Sequence, residues 1–203
     1  MSDFSDVTLA VLAGGEGSRM GKAKSELRIE GEPILIWLME KIKWTGPTML
    51  VTAPGREHPS GFEIFDTEVV DPVAGVGPIL GLLTALENAR SEFLIVVTVD
   101  MPMVRREHLR WVVEAMRAKP QAAGFMCENQ IEVQPFPSAW RCEKARTIVL
   151  EHFKTGARSV YSLQDHPDVI VTKAQWPEST WLNLNGPEDL DALKKLGVKS
   201  AGF

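Results

Sequence analysis

The sequence VTLAVLAGGEGSRMGKAK, residues 7–24, decides the fold class of this chain. Residues 7–13 form a short apolar run that ends at a glycine, which is typical of a buried parallel strand. After the glycine-rich loop, residues 33–43 begin with proline, carry apolar residues at helical spacing and end in lysine, which predicts a helix. Strand, loop and helix in this order form the unit from which parallel sheets are built.

The same alternation continues along the chain. Strands are expected at 48–52 and 93–99, and helices at 79–88 and 106–118. Beyond Pro120 the pattern is looser, and the expected elements are strands at 123–127, 131–133, 169–172 and 181–184, and helices at 143–154 and 187–196. Alternating units predict an α/β fold in which a mostly parallel sheet is covered by helices on both faces.

Composition limits the function classes. With 203 residues, 44% hydrophobic and 24% charged, the chain is typical of a globular protein. The two cysteines are too few and too isolated for a disulfide framework or a zinc site. A net charge of −5 argues against nucleic-acid or anionic-membrane partners. Because of this negative charge, any phosphate site must be local. The two isolated cysteines, the acidic N-terminus and the lack of a long apolar run predict a cytoplasmic protein.

The loop after the first strand combines glycine with positive charge. Glycines within 14–17 let the backbone approach a ligand at the carboxyl end of the strand, where open α/β sheets bind ligands. Arg19, Lys22 and Lys24 supply the charge that a triphosphate and its pyrophosphate leaving group require. We therefore predict an anion-binding loop; a glycine-rich turn with solvated basic residues is the alternative.

Two common phosphate motifs do not match this loop. A P-loop requires glycine where Glu16 stands and Ser or Thr where Ala23 stands. A dinucleotide fingerprint requires a small third residue where Met20 stands. The loop is therefore interpreted as a triphosphate-binding loop of another kind.

Two aspartates end apolar runs and precede proline. Asp100 follows the strand at 93–99 and is expected at the same edge of the sheet as the glycine loop, where a carboxylate can hold Mg²⁺. A capping role for Asp100 is the alternative. Asp71 is a second such carboxylate, and it leads into Gly77 and Pro78, a loop followed by a first helical turn.

Three further features are open to two interpretations. Gly81 leaves room for a flat base or for a packed strand. Asn183 can direct its amide into the cleft, whereas Asn185 is expected to be an ordinary cap or turn residue before the last helix. The tryptophans at 140, 176 and 181 are expected to pack rather than to stack on an acceptor.

These motifs, in this order and spacing, resemble the molybdenum cofactor guanylyltransferase family, the MobA-like nucleotidyltransferases. The matching residues are Leu12-Ala-Gly-Gly15, Arg19-Met-Gly21, Lys24, Gly77-Pro78, Gly81-Leu82, Asp100, Pro102, and Asn183, Asn185, Pro187 and Glu188. The resemblance implies a three-layer Rossmann-like fold and the transfer of GMP from GTP to the phosphate of molybdenum-carrying molybdopterin, giving molybdopterin guanine dinucleotide and pyrophosphate. It also implies Mg²⁺ as cofactor, and molybdoenzymes or their chaperones as recipients of the product.

The resemblance assigns roles to individual residues. Those implied to bind the nucleotide are Leu12, Ala13, Gly14, Gly15, Lys24, Asp71, Gly77, Pro78, Gly81 and Asp100. Those implied to be catalytic are Arg19, Lys24 and Asp100, the last also as metal ligand. Asn183 and Pro135, with its neighbour Phe136, are implied to face the acceptor. We expect one domain over 1–203, with a nucleotide half at about 1–120 and an acceptor-side half at about 121–203.

Three residues depart from the family pattern: Ala23 replaces aspartate, Thr52 replaces asparagine and Gly186 replaces threonine. They leave open a cytidylyltransferase that acts on a related pterin or another small phosphorylated acceptor. A catalytically silent nucleotide-binding module is a further alternative, which intact Lys24 and Asp100 disfavour. A dehydrogenase is disfavoured by Met20 and by the basic residues of the loop.

Overall fold

The computed structural model describes residues 4–15, 23–199 and 201–202. The strands are β1 (Val7–Leu12), β2 (Arg28–Ile29), β3 (Glu32–Pro33), β4 (Thr48–Thr52), β5 (Thr67–Val70), β6 (Phe93–Thr98), β7 (Gly124–Glu128), β8 (Val133–Arg141), β9 (Val169–Lys173) and β10 (Ala201–Gly202). The α-helices are α1 (Ile34–Ile42), α2 (Pro78–Asn88), α3 (Arg106–Arg117), α4 (Cys142–Lys154) and α5 (Pro187–Lys195). Short 3₁₀ helices lie at Lys24–Glu26, Phe62–Ile64, Val160–Asp165 and Glu178–Trp181.

Seven strands form the main sheet, in the order β5-β4-β1-β6-β8-β7-β9. The first four are mutually parallel, β8 is antiparallel to both of its neighbours, and β9 is parallel to β7. Helix α2 contacts α4, and α1 contacts α3. The predicted α/β fold with a mostly parallel sheet is therefore confirmed.

The centre of the sheet is the strand predicted first. All six residues of β1 are buried, because β4 and β6 pair with its two edges and the faces of the sheet are covered. Leu12 is level with Val51 of β4 and with Thr98 of β6. Three parallel strands thus end at one level, and the loops that follow them meet at one edge of the sheet.

The structure differs from the sequence predictions in the second half. The strand expected at 131–133 is β8, which runs on to Arg141 through two prolines that do not fit a strand pattern. The strand expected at 181–184 is wrong, since a 3₁₀ helix ends at Trp181. Trp181 stacks on Trp176 at 4.8 Å between ring centroids, so packing decides the backbone there.

A second, three-stranded antiparallel sheet, in the order β10-β2-β3, pairs residues 201–202 with the hairpin at residues 28–33. The sequence does not predict it, because two-residue strands are too short to show a period. Within the described ranges, no helix is long and apolar enough to cross a membrane. Both cysteines are free and buried, and burial raises the pKa of Cys142 to about 11.

Gly124 in β7 offers a test of core packing. A Cβ atom there would lie 2.3 Å from the ring of Trp140, which is fully buried and hydrogen-bonded to Ser138. We expect Gly124→Ala to lower the free energy of unfolding by about 2 kcal/mol, because a close-packed core cannot move this ring cheaply. Chemical denaturation measures the loss. Gly202→Ala, which meets no atom within 4 Å, is the control, and equal stability of the two variants would contradict the packing argument.

Candidate active site

Backbone hydrogen bonds align the loops that follow the central strands. The N–H of Ala13 donates to the carbonyl of Val51 at 2.8 Å, and that of Val99 donates to Leu12 at 3.0 Å. The N–H of Asp71 donates to the carbonyl of Thr52 at 2.8 Å. The segments after β1, β4, β5 and β6 are therefore held at one level, which fixes where their side chains converge.

A pocket of about 510 Å³ opens at this edge of the sheet. Its lining includes most of the residues implied by the resemblance: Leu12, Gly14, Gly15, Lys24, Asp71, Gly77, Pro78, Gly81, Asp100 and Asn183. Ala13 and Pro135 are not part of the lining, since the Ala13 N–H is used in the sheet and Phe136 rather than Pro135 faces the pocket. Arg19 lies outside the described residues.

Lys24 is a cation among the described residues that line this pocket. Its Nζ donates to Oδ2 of Asp100 at 2.5 Å and to Oδ1 of Asn185 at 2.6 Å. The side chains of Lys24 and Asp100 are only 17% and 14% exposed, so little water competes for this ion pair. An ammonium group has three donors, and the two acceptors found among the described residues leave one N–H for a ligand in the pocket.

The structure corrects the expectation for Asn185. Its side chain does not cap α5 but accepts a hydrogen bond from Lys24. The capping role belongs to Asp189, whose Oδ2 accepts the N–H groups of Asn185 and Gly186 at 2.7 and 2.8 Å. The contact with Lys24 joins residues that lie 161 positions apart, and local sequence pattern carries no signal for it.

Asp100 is suited to hold a cation. Its Oδ2 contacts Lys24, while its Oδ1 is buried without a hydrogen-bond partner among the described residues. A buried unpaired carboxylate oxygen is costly, and a metal ion would satisfy it. No group of three metal-ligating side chains occurs in the described part of the chain, so phosphate oxygens and water would have to complete such a site.

Asp71 also lines the pocket, against two glycines. Its Oδ2 is 3.7 Å from where a Cβ of Gly14 would stand and 3.8 Å from that of Gly81. Burial raises the pKa of the Asp71 carboxyl, an effect partly opposed by a hydrogen bond with Thr84. Its Oδ1 is buried and lacks a partner in the described ranges. Asp71 is thus a second acceptor available to a ligand.

The glycines of this site meet different demands. Gly77 has φ +103°, and a Cβ there would lie 2.5 Å from the carbonyl oxygen of Arg158, so only glycine fits before α2. Gly81 faces the side chain of Leu12, whose methyl groups are 3.4 Å from the place that a Cβ of Gly81 would occupy. Gly81 therefore packs closely against Leu12 and also lines the pocket.

The loop after β1 presents free backbone donors. No acceptor among the described residues takes the N–H of Gly14 or of Gly15. The carbonyl of Gly15 accepts a hydrogen bond from Nη1 of Arg56 at 3.3 Å, which adds positive charge next to the loop. The sequence analysis missed Arg56, because a single arginine in an ordinary loop is not a signal.

The departures from the family pattern lie at the edges of the site. The Thr52 hydroxyl donates to Oε1 of Glu68 at 2.9 Å, and Thr52 does not line the pocket, whereas its neighbours Val51 and Ala53 do. Ala23 precedes the 3₁₀ helix that carries Lys24. Gly186 is the N-cap residue of α5 and relies on Asp189 for its N–H.

The sheet topology and the pocket define an α/β protein of the nucleotidyltransferase class. The model of the MobA-like NTP transferase domain matches residues 9–169, and the chain belongs to this family. It is 34% identical over 197 residues to the "Probable molybdenum cofactor guanylyltransferase" of Thermococcus sibiricus, covering 91% of this chain and 95% of the relative. The "Molybdenum cofactor guanylyltransferase" of Cereibacter sphaeroides is 29% identical, with 94% and 97% covered.

A solved structure shares the fold. The molybdopterin-guanine dinucleotide biosynthesis protein A of Archaeoglobus fulgidus superimposes with a TM-score of 0.75 at 22% identity. The match covers 94% of this chain and 98% of the other. The expected Rossmann-like nucleotidyltransferase fold is therefore confirmed.

The buried carboxyl of Asp71 predicts a pH-dependent effect on stability. Because its pKa in the folded chain lies above the unfolded value of 3.8, the folded state binds more protons between the two values, and stability is lost as pH rises through that window. We expect Asp71→Asn to raise the free energy of unfolding at pH 7 by less than about 1 kcal/mol, because it removes a half-buried charge while preserving the shape, and because solvent screens part of the cost of that charge.

The gain should vanish below about pH 3.8, where the carboxyl is protonated in both states. Thermal unfolding followed between pH 3.5 and 8 tests this. Asp191→Asn, at a side chain 70% exposed, is the control for the loss of a surface carboxyl. A variant that is less stable at pH 7 would show that the Asp71 charge is favourable in the free protein.

Proposed function

We propose that this protein transfers GMP from GTP to the terminal phosphate of molybdenum-carrying molybdopterin, with Mg²⁺ as cofactor. The single observation that carries the proposal is Lys24, which lines the pocket and is held there by Asp100 and Asn185. The relatives support the choice of GTP as nucleotide and of the molybdenum cofactor as acceptor, since both are named molybdenum cofactor guanylyltransferases and both match nearly the full length of this chain.

The residues fit a direct displacement. An oxygen of the acceptor phosphate attacks the α-phosphorus of GTP, the new P–O–P linkage forms, and the bond to the β-phosphate oxygen breaks to release pyrophosphate. A phosphate is already ionised at neutral pH, so no strong base or covalent intermediate is required. The chain has to supply alignment and charge.

Lys24 supplies charge where the pyrophosphate develops. Its two protein acceptors fix the direction of Nζ before the nucleotide arrives, and its remaining N–H is directed by that geometry to a phosphate oxygen. The N–H groups of Gly14 and Gly15, which have no acceptor among the described residues, add neutral donors to the same pocket. A preorganised site of this kind loses little free energy to reorganisation during the reaction.

Asp100 would hold Mg²⁺ through the oxygen that has no partner among the described residues. When bound, the metal neutralises charge on the triphosphate and on the leaving pyrophosphate. Asp100 therefore has two tasks, to orient Lys24 and to bind the metal, and the two use different oxygens.

Asp71 favours guanine over cytosine. A carboxylate is acceptor-only, and the pairing edge of guanine offers two adjacent donors, its N1–H and its 2-amino group. Cytosine presents two acceptors and one amino group on the same edge, so the Asp71 oxygens would face lone pairs. The apolar walls formed by Leu12 and Leu80 complete a slot for a flat base.

The acceptor would lie toward Phe136 and Asn183, which line the same pocket from the β8 side and the C-terminal segment. The Asn183 amide donates to the carbonyl of Trp181 at 3.0 Å, which leaves its oxygen for the acceptor. The recipients of the product would be molybdoenzymes or their chaperones. A reducing cytoplasm suits a chain whose Cys127 and Cys142 are both free.

Pyrophosphate release tests the proposed function. The full chain is incubated with Mg²⁺, molybdopterin loaded or not loaded with molybdenum, and each nucleoside triphosphate in turn. We expect release with GTP and little with CTP. Release with CTP alone would overturn the guanylyl assignment, and no release with any triphosphate would favour a silent binding module.

Replacement of Asp100 tests the proposed metal site. We expect Asp100→Asn to lower kcat ~100-fold or more, because the neutral amide is a poor ligand for Mg²⁺ and a weaker acceptor for Lys24. Initial rates are measured as a function of Mg²⁺ concentration, with Asp191→Asn as the control. Near-normal rates at limiting Mg²⁺ would show that Asp100 only orients neighbouring groups.

A further inference from the structure

The segment that carries Lys24 is built from very short elements. Lys24 opens a 3₁₀ helix of three residues, and Leu27 joins this turn to β2. Strands β2 and β3 contribute two residues each, linked by Glu30 and Gly31, both with positive φ, in a tight turn. A two-stranded hairpin of this size is marginal by itself, since three strands or a packed face are usually needed.

The third strand comes from the end of the chain. In β10, Ala201 pairs with Ile29 and Gly202 pairs with Arg28, both antiparallel. Just before it, the N–H of Lys199 donates to Oε1 of Glu30 at 2.8 Å, which holds the turn of the hairpin. Val198 is 7% exposed and belongs to the hydrophobic core, so the segment is anchored at its start.

The C-terminal part of the chain therefore reaches the Lys24 segment twice. The Asn185 side chain holds the ammonium group of Lys24, and β10 holds the backbone that follows it. The N–H of Leu184 also donates to the carbonyl of Asp100 at 2.9 Å, which links the same part of the chain to the carboxylate partner of Lys24. In each of these contacts the C-terminal partner lies beyond residue 169, where the match to the family model ends.

We propose that residues 198–199 and 201–202, here called the C-terminal clamp, act as a positioning element for Lys24 and thereby set the affinity of the site for the triphosphate. The proposal rests on the proposed function for the identity of the ligand. Its physical basis is that a lysine contact with phosphate is sensitive to displacement of the backbone that carries it. The competing explanation is that the buried side chains of Leu27 and Ile29 hold the segment without the clamp.

Two variants separate these explanations. A chain ending at Lys199 lacks β10, and Glu30→Ala removes the acceptor for the Lys199 N–H. Glu30→Gln retains an acceptor oxygen at the same place and is the conservative partner of Glu30→Ala. Glu114→Ala, on the exposed face of α3 with a side chain 58% exposed, is the control for loss of a surface glutamate.

The first readout is kinetic. We expect the shortened chain to lose ~10-fold in kcat/KM for GTP, while KM for the acceptor stays within about twofold. The reason is that, of the two proposed substrates, only the triphosphate would contact Lys24. Glu30→Ala should change the same parameter by about threefold and Glu30→Gln should restore it. A clamp that only adds stability would lower the melting temperature and leave kcat/KM for GTP unchanged, which would overturn the proposal.

The second readout does not depend on turnover. Labelling with an amine-reactive ester, followed by mass spectrometry, reports how accessible and how tightly bound Lys24 is, with the exposed Lys195 as internal reference. We expect Lys24 to react several-fold faster in the shortened chain than in the full chain. Unchanged labelling together with unchanged kcat/KM in a folded variant would overturn the proposal.

If the full chain turned over no triphosphate, the proposed function would fail, and the labelling result would still decide the role of the clamp.

Discussion

The parallel pairing of β1 with β4 and β6 is the constraint on which the rest of the molecule depends. It buries every residue of β1, and it also places the ends of three strands at one level. Because a buried parallel strand cannot expose its ladder, the polar groups that a ligand needs have to come from the loops at its carboxyl end. The pocket is the direct consequence, with Gly14, Asp71 and Asp100 each following a different strand.

The side chain of Lys24 contacts two residues that are far from it in sequence. Lys24 meets Asp100 after β6 and Asn185 before α5, so the site is completed only when the C-terminal segment has docked. A small antiparallel sheet, β10-β2-β3, links residues near Lys24 to the C-terminal segment as well. The small sheet is short, but it follows directly on the turn that carries Lys24, and it buries Ile29 completely.

Sequence patterns predict the parts of the structure that are locally encoded. The apolar runs of β1, β4 and β6 and the helical spacing of α2 and α3 indicate the fold, and the glycine loop with Asp100 locates the pocket. The long-range contacts cannot be predicted in this way. The local context of Asn185 is that of a cap for α5, and only the fold brings it to Lys24. Arg56 has no local signal, and β10 is too short to show a period.

The charge balance of the pocket gives the physical reason for a metal in the proposed reaction. The chain carries a net charge of −5, and both proposed substrates are polyanions. Among the described residues of the pocket, the ammonium of Lys24 is already matched by the carboxylate of Asp100, and Asp71 adds a further carboxyl whose ionisation is disfavoured by burial. A triphosphate entering this site would meet little net positive charge from these groups. A divalent cation bound to Oδ1 of Asp100, which has no partner among the described residues, would restore the attraction for the triphosphate while leaving Lys24 in place. The ion pair with Lys24 thus reduces the net positive charge of the pocket, and it also fixes the carboxylate that would bind the metal ion.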